Sequence, residues 1–285
     1  MFKKPHRTIV DRLLKFVGDR MSARFSHTER TKNNFRQKEK IAVRVTNTVR
    51  LSPTVKLLKF KAEEPDVPIR FKAGQWIDLI MPFESSVGGY SICSAPFESS
   101  GTNSFSIAVK YVTDSPAQWC HDATINTQAY VRIGGDFYFE PEQDFSTEHL
   151  VFVAGGVGVN PIHSILKQCL YTDNLITHTC RTYRLLYGAQ NEAELLFKTD
   201  FMEFATMYNS FAPKFYVSRE PPYTDNPLVK KSHVTREDIM DAVNEQIASK
   251  TKIFICGPPP MIDSVQQILD NASFPKNRIF YEKWW

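Results

Sequence analysis

Between His149 and Leu166 the sequence reads HLVFVAGGVGVNPIHSIL, and no other stretch restricts the fold as much. An apolar run, Leu150–Ala154, gives way to Gly155-Gly156-Val157-Gly158-Val159-Asn160-Pro161. Ile162, Ile165, Leu166 and Cys169 then recur at the spacing of one helix face. The pattern predicts a strand, a tight turn and a helix, with Pro161 expected at the first helical position, where its missing N–H is no loss. Glycines let such a turn approach a pyrophosphate closely, and the free N–H groups of the helix start favour an anion. The turn departs from G-x-G-x-x-G, since Pro161 holds the place of the third glycine. By itself it supports a phosphate-binding turn, or a strand–helix turn with no ligand.

The rest of the second half repeats the alternation. Apolar runs at Arg184–Tyr187, Phe215–Val217, Ile253–Cys256 and Arg278–Tyr281 read as strands, and Thr235-Arg236-Glu237-Asp238 reads as a capping box before Ile239, Ala242, Val243 and Ile247. Strands alternating with helices predict a doubly wound parallel sheet with ligands beyond the strands' carboxyl ends. Cys256-Gly257-Pro258-Pro259-Pro260-Met261 falls at that same edge. The Cys256 thiol there faces a ligand or is simply a small buried side chain. From Ile41 to about residue 142 the period is two, as in Ile41, Val43, Val45 and in Phe105, Ile107, Val109, Tyr111. Ser52-Pro53, Ala73-Gly74, Gly88-Gly89 and Gly101-Thr102-Asn103 punctuate these runs, which predicts an antiparallel barrel or sandwich. Ser115-Pro116 reads as the start of one short helix. The expected division is a barrel over 41–145 and a nucleotide-binding domain over 146–285.

Composition sets the outer bounds. With 285 residues, 42% of them hydrophobic, the chain can fill two cores. No apolar run reaches the roughly 20 residues of a spanning helix. The five cysteines, Cys93, Cys120, Cys169, Cys180 and Cys256, include no C-x-x-C, so a disulfide framework, a metal site and an iron–sulfur centre are not expected. Residues 1–40 carry twelve Lys/Arg against four Asp/Glu, and the remaining chain carries 23 against 27. A mildly acidic body behind a basic arm argues against a nucleic-acid partner. The arm, with Ile9, Val10, Leu13, Leu14, Phe16 and Val17 among its arginines and lysines, reads as a mitochondrial transit peptide with a processing site at Arg24-Phe25-Ser26. A solvated basic tail on a cytoplasmic protein is the alternative. Residues 1–40 are set outside the fold on either reading.

The chain ends Phe280-Tyr281-Glu282-Lys283-Trp284-Trp285, and two terminal tryptophans suit stacking on something flat. Taken together, Tyr90-Ser91-Ile92-Cys93-Ser94, AGGVGVNP, YGAQNEAELLF, CGPPPM and YEKWW resemble, in that order, the motifs of the ferredoxin–NADP reductase superfamily. The resemblance covers residues 41–285 and implies a flavin-binding barrel followed by a pyridine-nucleotide domain. It implies FAD, with FMN as the alternative, bound at Tyr90, Ser91, Ile92 and Ser94, with Tyr90 on the isoalloxazine and Ser91 near its N5. It also places the dinucleotide at Gly155–Pro161 and at Gly257, Pro258 and Met261. Cys256 would lie beside the nicotinamide, Glu282 would relay a proton, Trp284 would cover the flavin and Trp285 would rest near the adenine. Ser218-Arg219 resembles the pair that holds the 2′-phosphate, which favours NADPH over NADH, with Lys230 and Lys231 adding charge.

Two departures bear on the flavin. The motif's arginine, two residues before the tyrosine, is Gly88 here, and Thr113-Asp114-Ser115-Pro116 replaces a glycine–serine turn. Ser115 and Lys110 are the candidate substitutes. The expected activity is transfer of hydride from nicotinamide to flavin, with electrons passing to a protein or small-molecule acceptor. A non-catalytic dinucleotide-binding or assembly protein that has lost its flavin is the alternative.

Overall fold

The computed structural model describes residues 26–82, 87–176, 181–219, 227–243 and 245–283. Six strands form an antiparallel sheet in the order β4-β3-β6-β1-β2-β5: β1 (Ile41–Arg50), β2 (Val55–Ala62), β3 (Trp76–Ile80), β4 (Val87–Ser91), β5 (Ser104–Lys110) and β6 (Gln128–Gly134). The edges meet where Ile92 pairs with Ile107 and Cys93 N–H donates to Ser106 O at 2.9 Å, so the sheet closes into a barrel. The period-two residues fill it: Val43, Leu58, Phe60, Ile77, Phe105, Ile107, Val131 and Ile133 are all buried. Each such side chain contributes about 1.5–3 kcal/mol of burial. A bulge between Val45 and Asn47 breaks the alternation of β1, and Val49 beyond it is exposed. The short α1 (His27–Arg30) precedes the barrel, while α2 (Pro96–Ser99) and α3 (Pro116–Asp122) lie within it, α3 capped by Ser115 as the sequence predicts.

The second sheet is parallel, in the order β10-β9-β8-β7-β11-β12, and holds β7 (His149–Gly155), β8 (Thr182–Ala189), β9 (Phe211–Val217), β10 (Val229–Lys230), β11 (Thr251–Gly257) and β12 (Ile279–Lys283). Alternate residues of β7 serve two cores. Leu150, Phe152 and Ala154 pack with α4 (Val159–Leu175) and α5 (Lys198–Met207). Val151 and Val153 pack with α6 (Arg236–Ala242) and α7 (Pro259–Asn271) on the other face. Helix α6 stops at Ala242 where the apolar pattern runs on to Ile247, because Val243 turns extended. Pro161 is the third residue of α4, one of the first-turn positions whose N–H has no intrahelical partner.

One helix joins the two bodies. From α4, Asn160 Nδ2 donates to Ala108 O at 2.7 Å, Ser164 Oγ to Ser94 O at 2.7 Å, and His163 Nδ1 meets Cys93 O at 2.9 Å. Lys167 pairs with Glu98 at 2.5 Å, and Gln168 Oε1 accepts from Phe97 N–H. The connection between β6 and β7 is gathered by buried Arg181, which donates to Pro141 O, Asp144 O and Thr147 O.

The basic arm needs correcting. Residues 26–37 are part of the barrel's wall, against the expectation that residues 1–40 stand outside the fold. Ser26 caps α1, Arg36 bridges to Gly134, and Gln37 N–H donates to Ile133 O. The cause is Asp78 on β3, whose side chain is 0% exposed. A buried carboxylate needs partners. It takes His27 Nε2 at 2.9 Å, Arg36 Nε at 2.6 Å and Arg132 Nη2 at 2.7 Å. The rest of the arm, residues 1–25 with Arg24 and Phe25, lies outside the described residues.

Candidate functional site

Two cavities open at the carboxyl edge of the parallel sheet. The first, of about 470 Å³, lies over the ends of β7, β8 and β9 and is bounded by Gly155, Gly156, Val157, Ser218, Pro258 and Met261. Its glycines divide by role. A Cβ on Gly158 would lie 2.3 Å from Cys256 O, and one on Gly155 would meet Met261 Sδ at 2.7 Å. These positions, with Gly257, let the turns after β7 and β11 pack edge to edge. Gly156 is different, for its φ is +53° and an added Cβ would meet nothing within 4 Å. There the backbone is left-handed and bare toward the cavity, which is what close approach of a ligand requires. Tyr187 Oη, which accepts from Leu196 N–H at 3.0 Å, lies 3.2 Å from Gly156 O and holds the turn from below.

Val159, Asn160 and Pro161 are buried in α4 and do not bound the cavity. Gly257 is likewise beneath the surface, and the Cys256 side chain is 0% exposed and reaches neither cavity. Burial pushes the Cys256 thiol well above its ordinary value, so it stays protonated. The expectation of an open thiol beside a ligand gives way to its other reading, a small buried residue under the floor. Ser218 bounds the cavity, while Arg219 is exposed at the rim with its N–H on Gln190 O at 2.9 Å. Lys230 is paired with Asp238 at 3.0 Å. Lys110 also bounds this first cavity and not the second, so it does not stand in for the arginine missing at Gly88. Glu194, from the YGAQNEAELLF segment, and Ser232 and His233, which carry no recognisable motif, also line the wall.

The second cavity, of about 880 Å³, lies between barrel and sheet, with Trp76, Tyr90 and Phe137 on one side and Phe280, Tyr281 and Glu282 on the other. Ser91 Oγ donates to Glu282 Oε2 at 3.3 Å, joining the last residue of β4 to β12. Glu282 is also paired in register with Cys256 on the neighbouring strand. Ser91 and Glu282, far apart in sequence, therefore meet where the two sheets face each other. Ser115 borders the same cavity, but its hydroxyl donates to Val112 O at 2.8 Å and accepts from Ala117 N–H, so it serves the helix cap. Ile92 belongs to the barrel core, and Ser94 Oγ accepts from Ser106 N–H. Neither borders the cavity. Trp284 and Trp285 lie outside the described residues.

Residues 152–267 match the oxidoreductase NAD-binding domain. The chain is 36% identical over 274 residues to oxidoreductase NAD-binding domain-containing protein 1 of Danio rerio, covering 92% of this chain and 98% of that one. The chain belongs to that family. The chain shares its fold with solved structures. The ferredoxin–NADP+ reductase of Plasmodium falciparum superposes with a TM-score of 0.68 at 20% identity, over 87% of this chain and 97% of the other. The FAD/NAD-binding domain of the nitric oxide dioxygenase of Vibrio cholerae gives 0.68 at 18% identity, over 86% and 98%. Like them, this member of the oxidoreductase NAD-binding domain-containing protein 1 family sets an antiparallel sheet beside a parallel one. Among its described residues no helix is long and apolar enough to cross a membrane.

Proposed function

We propose that the chain is a flavin-dependent NAD(P)H oxidoreductase. The dinucleotide takes the cavity over Gly156 and a flavin, FAD or FMN, takes the cavity beside Tyr90. The observation that carries this reading is the Ser91–Glu282 contact at 3.3 Å, a hydroxyl–carboxylate pair at the meeting of the two sheets, with Glu282 bordering the cavity and Ser91 buried behind it. The residues fit such a group. Tyr90, Phe280 and Tyr281 border the cavity with their rings, and Gly88 and Gly89 leave β4 without side chains of its own there.

When bound, a flavin supplies a ring that accepts hydride and passes electrons onward. The chain supplies placement. The turn at Gly155, Gly156 and Val157 holds the pyrophosphate, with Tyr187 fixing the turn. Ser91 donates a hydrogen bond to Glu282 and keeps that carboxylate aimed at the barrel, where it can hold or release a proton. Cys256, kept as a thiol by burial, supports the floor under both turns. Arg219, at the rim, would pair with the 2′-phosphate of NADPH. A protein acceptor of electrons is supported by the kind of reductase the fold is shared with, and the basic arm supports a mitochondrial address.

Gly88 favours a second reading, a dinucleotide-binding protein without flavin. Purified protein incubated with FAD or FMN, desalted and examined by absorbance separates the two. Retained flavin whose colour bleaches on adding NADPH or NADH is the expected result. A chain that binds the dinucleotide but keeps no flavin would leave the second reading standing alone.

A further inference from the structure

The flavin cavity has a wall that the barrel strands do not supply. His27, Arg30, Thr31 and Asn34, all ahead of β1, border it on the side of β4. Strand β4 has no room for side chains of its own there. A Cβ on Gly88 would meet the Tyr90 ring at 2.6 Å and Pro116 Cβ at 2.8 Å, and one on Gly89 would lie 2.1 Å from the His27 ring. The imidazole thus occupies the face that β4 leaves bare, standing edge-on to Trp76 with centroids 4.9 Å apart.

This wall is built firmly. Asp78 grips His27 and Arg36, and Arg36 Nη2 donates to Thr31 Oγ1 at 2.6 Å. Asp136 accepts from Asn34 Nδ2 at 3.0 Å and from Phe35 N–H at 3.2 Å. The charges of the cavity are divided between its ends. Among the described residues its lysines and arginines are Arg30 and Lys283. Lys283 stands on the β12 side with Glu282, paired with Asp263 at 2.5 Å. Arg30 stands on the β4 side, on the same short helix as His27, backed by Arg36 and Arg132 on the single carboxylate of Asp78. A ligand with a flat ring and a phosphate therefore meets rings from Tyr281 to Tyr90 and, on the β4 side, the Arg30 guanidinium, while the Asp136 carboxylate there is taken up by Asn34 and Phe35 N–H.

We infer that the segment His27–Asn34 forms the phosphate-binding wall of the flavin cavity, with Arg30 as its cation in place of a side chain on β4. The assignment rests on the flavin reading above. It is tested on the full chain by equilibrium titration of flavin fluorescence with FAD, FMN and riboflavin, which lacks the phosphate. Arg30→Ala weakens FAD and FMN about 10- to 100-fold, the range of one charged hydrogen bond, and leaves riboflavin affinity unchanged. Arg30→Lys keeps part of the phosphate-dependent affinity. Equal loss for all three flavins would make Arg30 a shaping residue and overturn the assignment. So would unchanged or tighter FAD binding, the latter marking a segment that covers the cavity. If the unaltered chain binds none of the three, the flavin reading itself falls, an outcome separate from the others.

Discussion

The two cavities sit on neighbouring strand ends and are made in opposite ways. The dinucleotide cavity has its floor in the bare backbone of two short strand–helix turns, with Lys110, Glu194, Ser218, Ser232 and His233 completing its wall. The flavin-side cavity is assembled from side chains of α1, β3, β4, β12 and the start of α3, held by a buried carboxylate at its back. A backbone site tolerates side-chain change around it but not a methyl group on its glycines. An assembled site tolerates exchange of single walls but depends on the group that binds them together.

Asp78→Ala is the strongest way to break that contrast. It leaves Arg36 and Arg132 without their carboxylate and should lower the unfolding free energy by about 3–5 kcal/mol in a denaturant titration. A loss under about 1 kcal/mol would mean that the arm does not depend on Asp78. Acid makes the same test without mutation. Burial pushes the Asp78 carboxyl up, but hydrogen bonds from His27 and Arg36 outweigh it and hold the group below its ordinary value. Its stabilisation is then full above about pH 4 and is lost as pH falls through the lower folded value. Protection of the arm from protease should fade on that limb and not at neutral pH.

Gly158→Ala comes next. Its Cβ meets a backbone carbonyl that cannot swing aside, so a cost of about 2–3 kcal/mol in stability is expected, with dinucleotide binding lost alongside. Gly156→Ala separates the two functions of the turn. With open space above it but a left-handed φ, it should destabilise by only about 1–2 kcal/mol and weaken the dinucleotide about tenfold, read by calorimetry. Equal effects at the two glycines would remove the distinction. The smallest effect belongs to the rim. Arg219→Ala should weaken NADPH by about fivefold or less and leave NADH unchanged, as for an exposed ion pair. Equal effects would move the 2′-phosphate away from Arg219, toward Ser232 and His233.

What the sequence made legible follows the same division. The strand–turn–helix at His149–Leu166, the second turn at Cys256–Met261 and the period-two barrel were readable because each is written in local spacing. The flavin-side wall was not. Its deciding contact joins residues 51 positions apart, and nothing in the arm's basic composition distinguishes lysines in water from a histidine and an arginine bound to Asp78. Lys110 was misplaced for a related reason: the end of a barrel strand is legible, but the cavity it faces depends on how the bodies dock. Cys256 sits in the expected turn, yet its side chain is buried in the core shared with β7 and α4, a packing between distant segments.

Helix α4 gives this arrangement a mechanical meaning. The helix that begins at the phosphate turn is riveted, from Asn160 to Gln168, to the carbonyls and side chains of the barrel. Ser91 on Glu282 and the Ser52 and Thr54 hydroxyls on Glu194 add further ties, so the distance between the two cavities is set by a stiff joint and not by a hinge. Heating should melt both bodies in one calorimetric transition, and a gene split between β6 and β7 should give two halves that are soluble only when expressed together.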